Sequence, residues 1–275
     1  MTAEDHVRVD LTGAPQTMLA TLYAKALDVD LPRPILNDRW AKEAVAGIDY
    51  DWAQTTMTAG RSPAVTTRSA HFDRWVRQFL AVHPKATVLH LGCGLDSRYF
   101  RVAPGPDVQW YDIDYPEVAE LRDRLLPAGG EGYHVVAASV TDPAWLRDIP
   151  VGSPVLAIGE GLTMYLTEAD GIDLLNRIVS HCGTGELQFD AFNSLGIRSQ
   201  WSNSVVRRSG ATLHWAINGP DDIISAVPGT RLLARVSPFD TEAFDLVRPA
   251  YRVLANVMSR LPVLRYMAQY HRYSF

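Results

Sequence analysis

Lysine is scarce: of 26 basic residues only Lys25, Lys42 and Lys85 are lysine, and the arginines form no run. With a formal net charge of −5, the electrostatic footprint of a nucleic-acid binder is missing. Cysteine is scarcer still. Cys93 and Cys182 cannot make a disulfide framework, and no Cys/His cluster has zinc-finger spacing, which points to a cytoplasmic chain. The eight histidines never pair at metal-ligand spacing, so no metal site is expected. No apolar run approaches the ~20 residues of a membrane span. Met1 to Gln16 carries charge throughout and no apolar h-region, so nothing suggests export. Repeats and low-complexity segments are absent too. These exclusions leave a small molecule or a peptide as the partner, with oligomeric state open.

What is present is a chain of 275 residues, 47% hydrophobic, enough for a sizeable core. Its most informative stretch is Thr87-Val88-Leu89-His90-Leu91-Gly92-Cys93-Gly94-Leu95-Asp96-Ser97-Arg98. A short apolar run there breaks into a two-glycine turn, as a buried strand feeding a ligand loop does. Gly92 and Gly94 bring no Cβ and accept the positive φ that such a turn often needs. The dinucleotide fingerprint G-x-G-x-x-G requires a third glycine where Ser97 stands, which argues against NAD. About one strand later, Val108 to Asp114 ends in two carboxylates, Asp112 and Asp114. An acid at the tip of the second strand of a doubly wound sheet meets ribose hydroxyls. Two residues apart on a strand, both point the same way, and either could instead cap the helix that opens near Tyr115-Pro116-Glu117.

From about Pro15 to Pro84 the pattern is helical. Met18, Leu19, Leu22 and Ala26 share a face, Asn37 can cap a helix through Val45, and Ser62-Pro63 supplies an N-cap with proline at the first position. Then strand and helix alternate, which predicts a mostly parallel sheet covered on both faces. The strands fall at Thr87–Leu91, Val108–Ile113, Tyr133–Ala138, Val155–Gly159 and Glu186–Asp190. Thr167-Glu168-Ala169-Asp170 reads as a capping box for a helix through Val179. After Asp190 the alternation lapses. Residues 191–222 look like an insertion that covers a site, and Arg231–Val236, a helix around Thr241–Arg260 and Tyr270–Phe275 complete the sheet. The organisation expected is residues 1–84 as an N-terminal helical extension and 85–275 as the core, with the lid insertion at 191–222.

Ligands of open α/β sheets sit outside the carboxyl ends of the strands where strand order reverses. That rule selects Gly92, Gly94, Asp114, Ser139, Val140 and Glu160. Ser139 and Val140 follow the third strand, where a ring could rest, although an ordinary cap before Pro143 explains them as well. Glu160 closes an apolar strand. Tyr165 lies just before a helix and either joins the core or lines a reaction centre. Spacing alone makes Arg68 a solvated arginine, leaves Lys25 ambiguous, and allows His214 with Trp215 to reach a substrate from the insertion.

Five ordered segments after the N-terminal LYAKA (Leu22–Ala26) then carry a resemblance: DYD (Asp49–Asp51), VLHLGCGLDSR (Val88–Arg98), WYDIDYPEV (Trp110–Val118), ASVTDPAW (Ala138–Trp145) and EGLTMYL (Glu160–Leu166). The chain resembles the leucine carboxyl methyltransferase family, and within it the bacterial branch of polyketide O-methyltransferases. The resemblance implies the α/β class I methyltransferase fold, Rossmann-like, and S-adenosyl-L-methionine as cofactor. It implies that Arg68 grips the methionine carboxylate with Lys25 as a second cation, that Gly92 lies against the cofactor, and that Asp114 holds the ribose. Ser139 and Val140 fall where the leucine carboxyl branch has Asp-Leu beside adenine, and Glu160 matches the acid after the fourth strand. The activity implied is methyl transfer to a carboxylate, which needs no base near pH 7, or to a phenol of pKa ~10, which does. Tyr165 and His214 are the catalytic candidates for the phenol. The alternatives are a binding protein or cyclase that keeps the cofactor without transfer, a methyltransferase of a protein C-terminus, and an NAD-dependent oxidoreductase.

Overall fold

The computed structural model describes residues 6–9, 14–247, 252 and 259–275. Val7–Arg8 (β1) pairs in parallel with Ile48–Asp49 (β2). Between and after them run the helices Ala14–Val29 (α1), Arg39–Ala46 (α2) and Pro63–Val82 (α3). Asp38, not Asn37, caps α2, accepting the Ala41 N–H at 3.0 Å. Asn37 stands one residue too early and turns the chain at φ 54°, a conformation asparagine tolerates better than most residues. Ser62 likewise precedes α3 without capping it, because it is already helical and its hydroxyl donates to Ala24 O at 2.8 Å, tying α3 to α1.

The strands Thr87–Leu91 (β3), Gln109–Asp114 (β4), Tyr133–Ala137 (β5), Val155–Gly159 (β6), Gly185–Phe192 (β7), Arg231–Val236 (β8) and Ala268–Ser274 (β9) form one sheet in the order β5-β4-β3-β6-β7-β9-β8. The first five in that order are parallel, and β9 runs antiparallel to β7 and β8. Strands buried on both faces read as near-continuous apolar runs: β6 does so, and β3 does so but for Thr87 and His90, which are buried as well. Val88, Leu156 and Ile158 face Phe72, Trp75, Val76 and Phe79 of α3. Leu89, Leu91 and Ala157 face the other way, toward Leu174, Leu175 and Ile178 of a helix Glu168–Cys182. Each such buried side chain stabilises the fold by roughly 1.5–3 kcal/mol, so α3, though N-terminal to the sheet, is part of its cover.

Short helices Arg98–Val102 (α4) and Pro116–Leu125 (α5) follow β3 and β4, and Glu168–Cys182 (α6) follows β6. Thr167 caps α6 by accepting the Asp170 N–H at 3.1 Å and donating to Asp170 Oδ2 at 2.7 Å. The fifth parallel strand outlasts its expected end by two residues. Residues 194–226 then hold three short helices, Ser194–Arg198 (α7), Ser204–Ser209 (α8) and Pro220–Ala226 (α9). Of the helix expected around Thr241–Arg260, residues 242–246 form only a 3₁₀ turn, and 248–251 and 253–258 lie outside the described residues. From β3 the chain steps outward to β4 and β5 and then returns to β6 on the other side of β3. The order therefore reverses between β3 and β6, and a cleft opens at their carboxyl ends.

Candidate active site

That cleft has a volume of about 920 Å³. Its floor is the turn after β3, where Gly92 and Gly94 adopt φ 59° and 53°. A Cβ on Gly92 would stand 3.0 Å from the Leu162 side chain, and one on Gly94 3.0 Å from that of Met18, so the positive φ favours glycine at both and an added Cβ would press on a neighbour. Asp114, at the tip of β4, accepts the Gly94 N–H at 2.7 Å and the Tyr115 N–H at 2.8 Å. Burial raises its pKa against those two bonds, and its carboxylate lines the cleft with Ser139 and Val140 from beyond β5. The hydroxyls of Ser139 and Thr141 share a hydrogen bond of 2.8 Å.

Asp112 does not join them. It lies one strand pair deeper, opposite His90, is wholly buried and has no wall of the cleft. Trp110 Nε1 donates to it at 2.8 Å, Tyr133 donates its hydroxyl at 2.6 Å, and Arg122 of α5 pairs with it. Burial opposes its ionisation, but Arg122, His90 and Tyr133 prevail and hold its pKa at about 2. Asp112 thus ties α5 to the sheet and is unavailable to a ligand.

Beside the glycine turn stands a layer of paired charges. Arg68 of α3 donates from Nε to Glu160 at 2.9 Å and from Nη1 to Asp190 at 2.8 Å. Glu160 also accepts from Ser69 at 2.7 Å and from Arg98. Burial pushes Glu160 toward protonation, and Arg98 and Arg68 overcome it, bringing the pKa to about 2. Asp190, which accepts the Gly161 N–H at 2.6 Å, is shifted the other way, burial outweighing Arg68. Lys25 of α1 contacts Asp96 at 2.9 Å. Asp96 is driven well below the usual carboxylate range because Arg101, Lys25 and Arg98 together defeat its burial. Behind this layer Arg98 and Arg101 share Asp73, and Arg101 reaches Asp38. Among the described residues, Nη2 of Arg68 has no protein partner.

The structure therefore brings Lys25, Arg68, Gly92, Gly94, Asp114, Ser139, Val140, Glu160 and Tyr165 to one cleft. Tyr165 is hydrogen-bonded to Thr17, and burial raises its pKa. His214 is elsewhere. It sits in an extended stretch where Leu213 and Trp215 point inward, so its own side chain is exposed and away from the cleft. Its backbone N–H alone is engaged, with Met164 O at 2.8 Å. The one histidine in the wall among the described residues is His90, already held between Asp112 and Arg98.

Several lining residues escaped the sequence reading: Asp96, Asp190, Tyr270, and the apolar Phe192, Phe239 and Phe244 of the outer part. The rule that singled out Glu160, an acid closing a buried strand, applies equally to Asp190 near the end of the next strand. Phe239 and Phe244 carried no such signal.

Comparison with known proteins identifies the family. The leucine carboxyl methyltransferase family profile matches residues 17–179. The tetracenomycin polyketide synthesis O-methyltransferase TcmP of Streptomyces glaucescens is 42% identical over 267 residues, covering 97% of this chain and 98% of its own. The S-adenosyl-L-methionine-dependent methyltransferase dpfgK of Gibberella zeae is 36% identical over 253 residues, covering 84% and 85%. Among solved structures, a DUF574 family protein of Streptomyces avermitilis superposes with a TM-score of 0.58 at 15% identity, covering 92% of this chain and 96% of its own; that likeness concerns the fold. With more than half its length matched by the profile and TcmP matched almost end to end, the chain belongs to the leucine carboxyl methyltransferase family.

Proposed function

We propose that the protein is an S-adenosyl-L-methionine-dependent O-methyltransferase whose acceptor is a small polyketide-like compound, methylated on a carboxylate or a phenol. The observation that carries this reading is the meeting, in one cleft, of the glycine turn with Asp114 and of the Arg68 layer. Those residues fit the cofactor. Asp114 is an acceptor at a strand tip for the ribose hydroxyls, the glycine turn admits close approach, and the free Nη2 of Arg68, with Lys25 near Asp96, suits a carboxylate. Bound S-adenosyl-L-methionine supplies an electrophilic methyl group on a sulfonium sulfur.

The chain's own contribution is alignment and exclusion of water. Glu160 and Asp190 fix the Arg68 guanidinium from two strands, and Asp96 fixes Lys25, so both cations are held in place before a ligand arrives. The apolar outer wall, with Phe192, Phe239 and Phe244, suits a flat acceptor and keeps solvent away from the reacting atoms. We assign residues 191–222 and the turn around Phe239–Phe244 to this cover. A carboxylate acceptor is ionised near pH 7 and needs no base, and the cleft agrees: His90 is committed and His214 is outside. A phenol of pKa ~10 would depend on Tyr165. Two buried free cysteines suit the cytoplasm. Among the described residues no helix is long and apolar enough to cross a membrane.

Thermal unfolding with S-adenosylhomocysteine and, separately, NAD tests the reading. At ~100 times its Kd a ligand stabilises by roughly 2.7 kcal/mol. S-adenosylhomocysteine should raise Tm and NAD should not. Asp114→Asn keeps an acceptor for the Gly94 N–H and loses the charge toward ribose, so its response should weaken by ~1.5–3 kcal/mol of binding energy. Gain of one methyl in product mass separates transfer from a cyclase or a non-methylating binder. Indifference to S-adenosylhomocysteine would overturn the proposal.

A further inference from the structure

Among the described residues four Lys and Arg side chains line the cleft, and three have a carboxylate partner. Lys25 meets Asp96, Arg68 meets Glu160 and Asp190, and Arg265 Nη2 meets both oxygens of Asp240 at 2.7 and 2.8 Å. Arg61 has no carboxylate partner among the described residues. It is exposed at the mouth, in a turn that its own N–H closes onto Thr58 O at 2.9 Å. Its Nη1 donates to Thr56 O at 3.1 Å, which orients the guanidinium and leaves Nε and Nη2 free. Thr56 is itself pinned, since its hydroxyl shares a 3.0 Å hydrogen bond with Ser204, the first residue of α8.

The segment that reaches the cleft through residues 202–206 is basic. Between Asp190 and Asp221 the sequence has three arginines, Arg198, Arg207 and Arg208, and no acid, in a chain of net charge −5. Arg207 and Arg208 each send Nη1 to a main-chain carbonyl at 3.4 Å, of Trp201 and of Gln54, and neither has a carboxylate partner among the described residues. The cleft that Arg61 lines also has the apolar Met57, Val65, Val205 and Phe192 in its wall. An apolar cavity with a few fixed polar groups orients its ligand through those groups, and a guanidinium with free forked donors matches a carboxylate.

We infer that Arg61, backed by the field of Arg207 and Arg208, is the subsite for an anionic group of the acceptor, a carboxylate on an aromatic body. This deepens the methyl-transfer reading and rests on it for the word acceptor. The anion it takes stays at the mouth, where Arg61 is exposed, and is assigned as a group other than the oxygen that is methylated. The basic segment draws acids into an otherwise acidic molecule and sets which end of the aromatic body enters first.

The test is calorimetric titration of the protein saturated with S-adenosylhomocysteine, using 2-naphthoate and its neutral isostere 2-naphthamide. Naphthoate should bind about tenfold more tightly at low salt, the ratio shrinking as salt screens an exposed site. Arg61→Gln should bring the two ligands to equal affinity, leave naphthamide binding and S-adenosylhomocysteine affinity as in the wild type, and so exclude misfolding; Arg61→Lys should keep part of the preference. Equal binding of the two by the wild type, binding of neither, or a preference that survives Arg61→Gln overturns the inference. Loss of S-adenosylhomocysteine binding in the wild type would instead fall on the methyl-transfer reading, and the same titrations without it would still report on Arg61.

Discussion

Replacing Arg98 with leucine removes the cation on which the inner charge layer depends. Arg98 is wholly buried. Its Nε donates to Asp73 at 2.8 Å, Nη1 meets His90 at 3.1 Å, and Nη2 pairs with Glu160 and lies 3.3 Å from Asp96. Removing one member of a buried ion pair costs about 3–5 kcal/mol, because the partner stays buried without compensation. Here Arg68 still touches Glu160, and Arg101 still touches Asp73 and Asp96, so the lower end, about 3 kcal/mol, applies. For a chain of this size that is a fall in Tm of roughly 6–12 °C. The loss depends on pH. In the wild type Glu160 titrates at about 2, below the ~4.3 of an unfolded chain, so its contribution is present above that value and lost as pH falls toward 2. In the variant, burial is opposed by one guanidinium fewer and the pKa rises. The variant's Glu160 therefore has less or nothing to lose between ~4.3 and about 2, and the gap between the two proteins should be widest near pH ~7 and narrower near pH ~3. Differential scanning calorimetry at both pH values reads it. A Tm shift under ~2 °C, or one of the same size at both, would refute the assignment of Arg98 as the counter-ion that keeps Glu160 ionised.

Gly94→Ala should cost about 1–2 kcal/mol for the left-handed backbone, beyond the contact with Met18, so trimming Met18 in the same chain recovers only part of the loss in chemical denaturation. Ser97→Gly completes the dinucleotide fingerprint yet should confer no stabilisation by NAD. It should lower stability by about 1–3 kcal/mol, because Ser97 Oγ donates to Asp38 at 2.6 Å and accepts from Arg101 at 3.0 Å. Asp190→Asn should weaken S-adenosylhomocysteine binding in calorimetry, since Arg68 loses a charged partner. Burial raises Asp190 in the folded state, so the wild type loses this group's contribution as pH rises and the variant does not. The variant's Tm relative to wild type should climb with pH above ~4, and a pH-independent difference would contradict the assigned shift.

Side-chain period states which face a residue occupies, and burial depth decides what it does there. Asp112 and Asp114 share a face of β4 as their spacing requires, and the same arithmetic made both of them ligands. Two residues along a strand is about 6.5 Å, enough to move one carboxylate from the mouth of the cleft to beneath α5, where Arg122 awaits it. Nothing in the run WYDID reveals that Arg122, eight residues beyond Asp114, will return over the sheet. The parallel strands were legible through their apolar runs, most clearly in β3 and β6, which are buried at every position, a demand that depends on no partner in particular. His214 failed for the converse reason: an isolated histidine beside a tryptophan is compatible with either side of the chain, and the burial of Leu213 and Trp215 turned it outward. The most informative residues were ones the motif contained but composition could not interpret. Asp96 and Arg98 follow the glycine turn because that turn delivers the chain to the place where α1, α3, β3 and the end of β6 converge. There Asp96 holds Lys25 and Arg98 holds Glu160. Arg68, by contrast, is held by Glu160 and Asp190, which come from elements far along the chain. The stretch from Gly92 to Arg98 is one unit, with glycines that line the cleft and, two and four residues after the second, the charges that pair with Lys25 and Glu160.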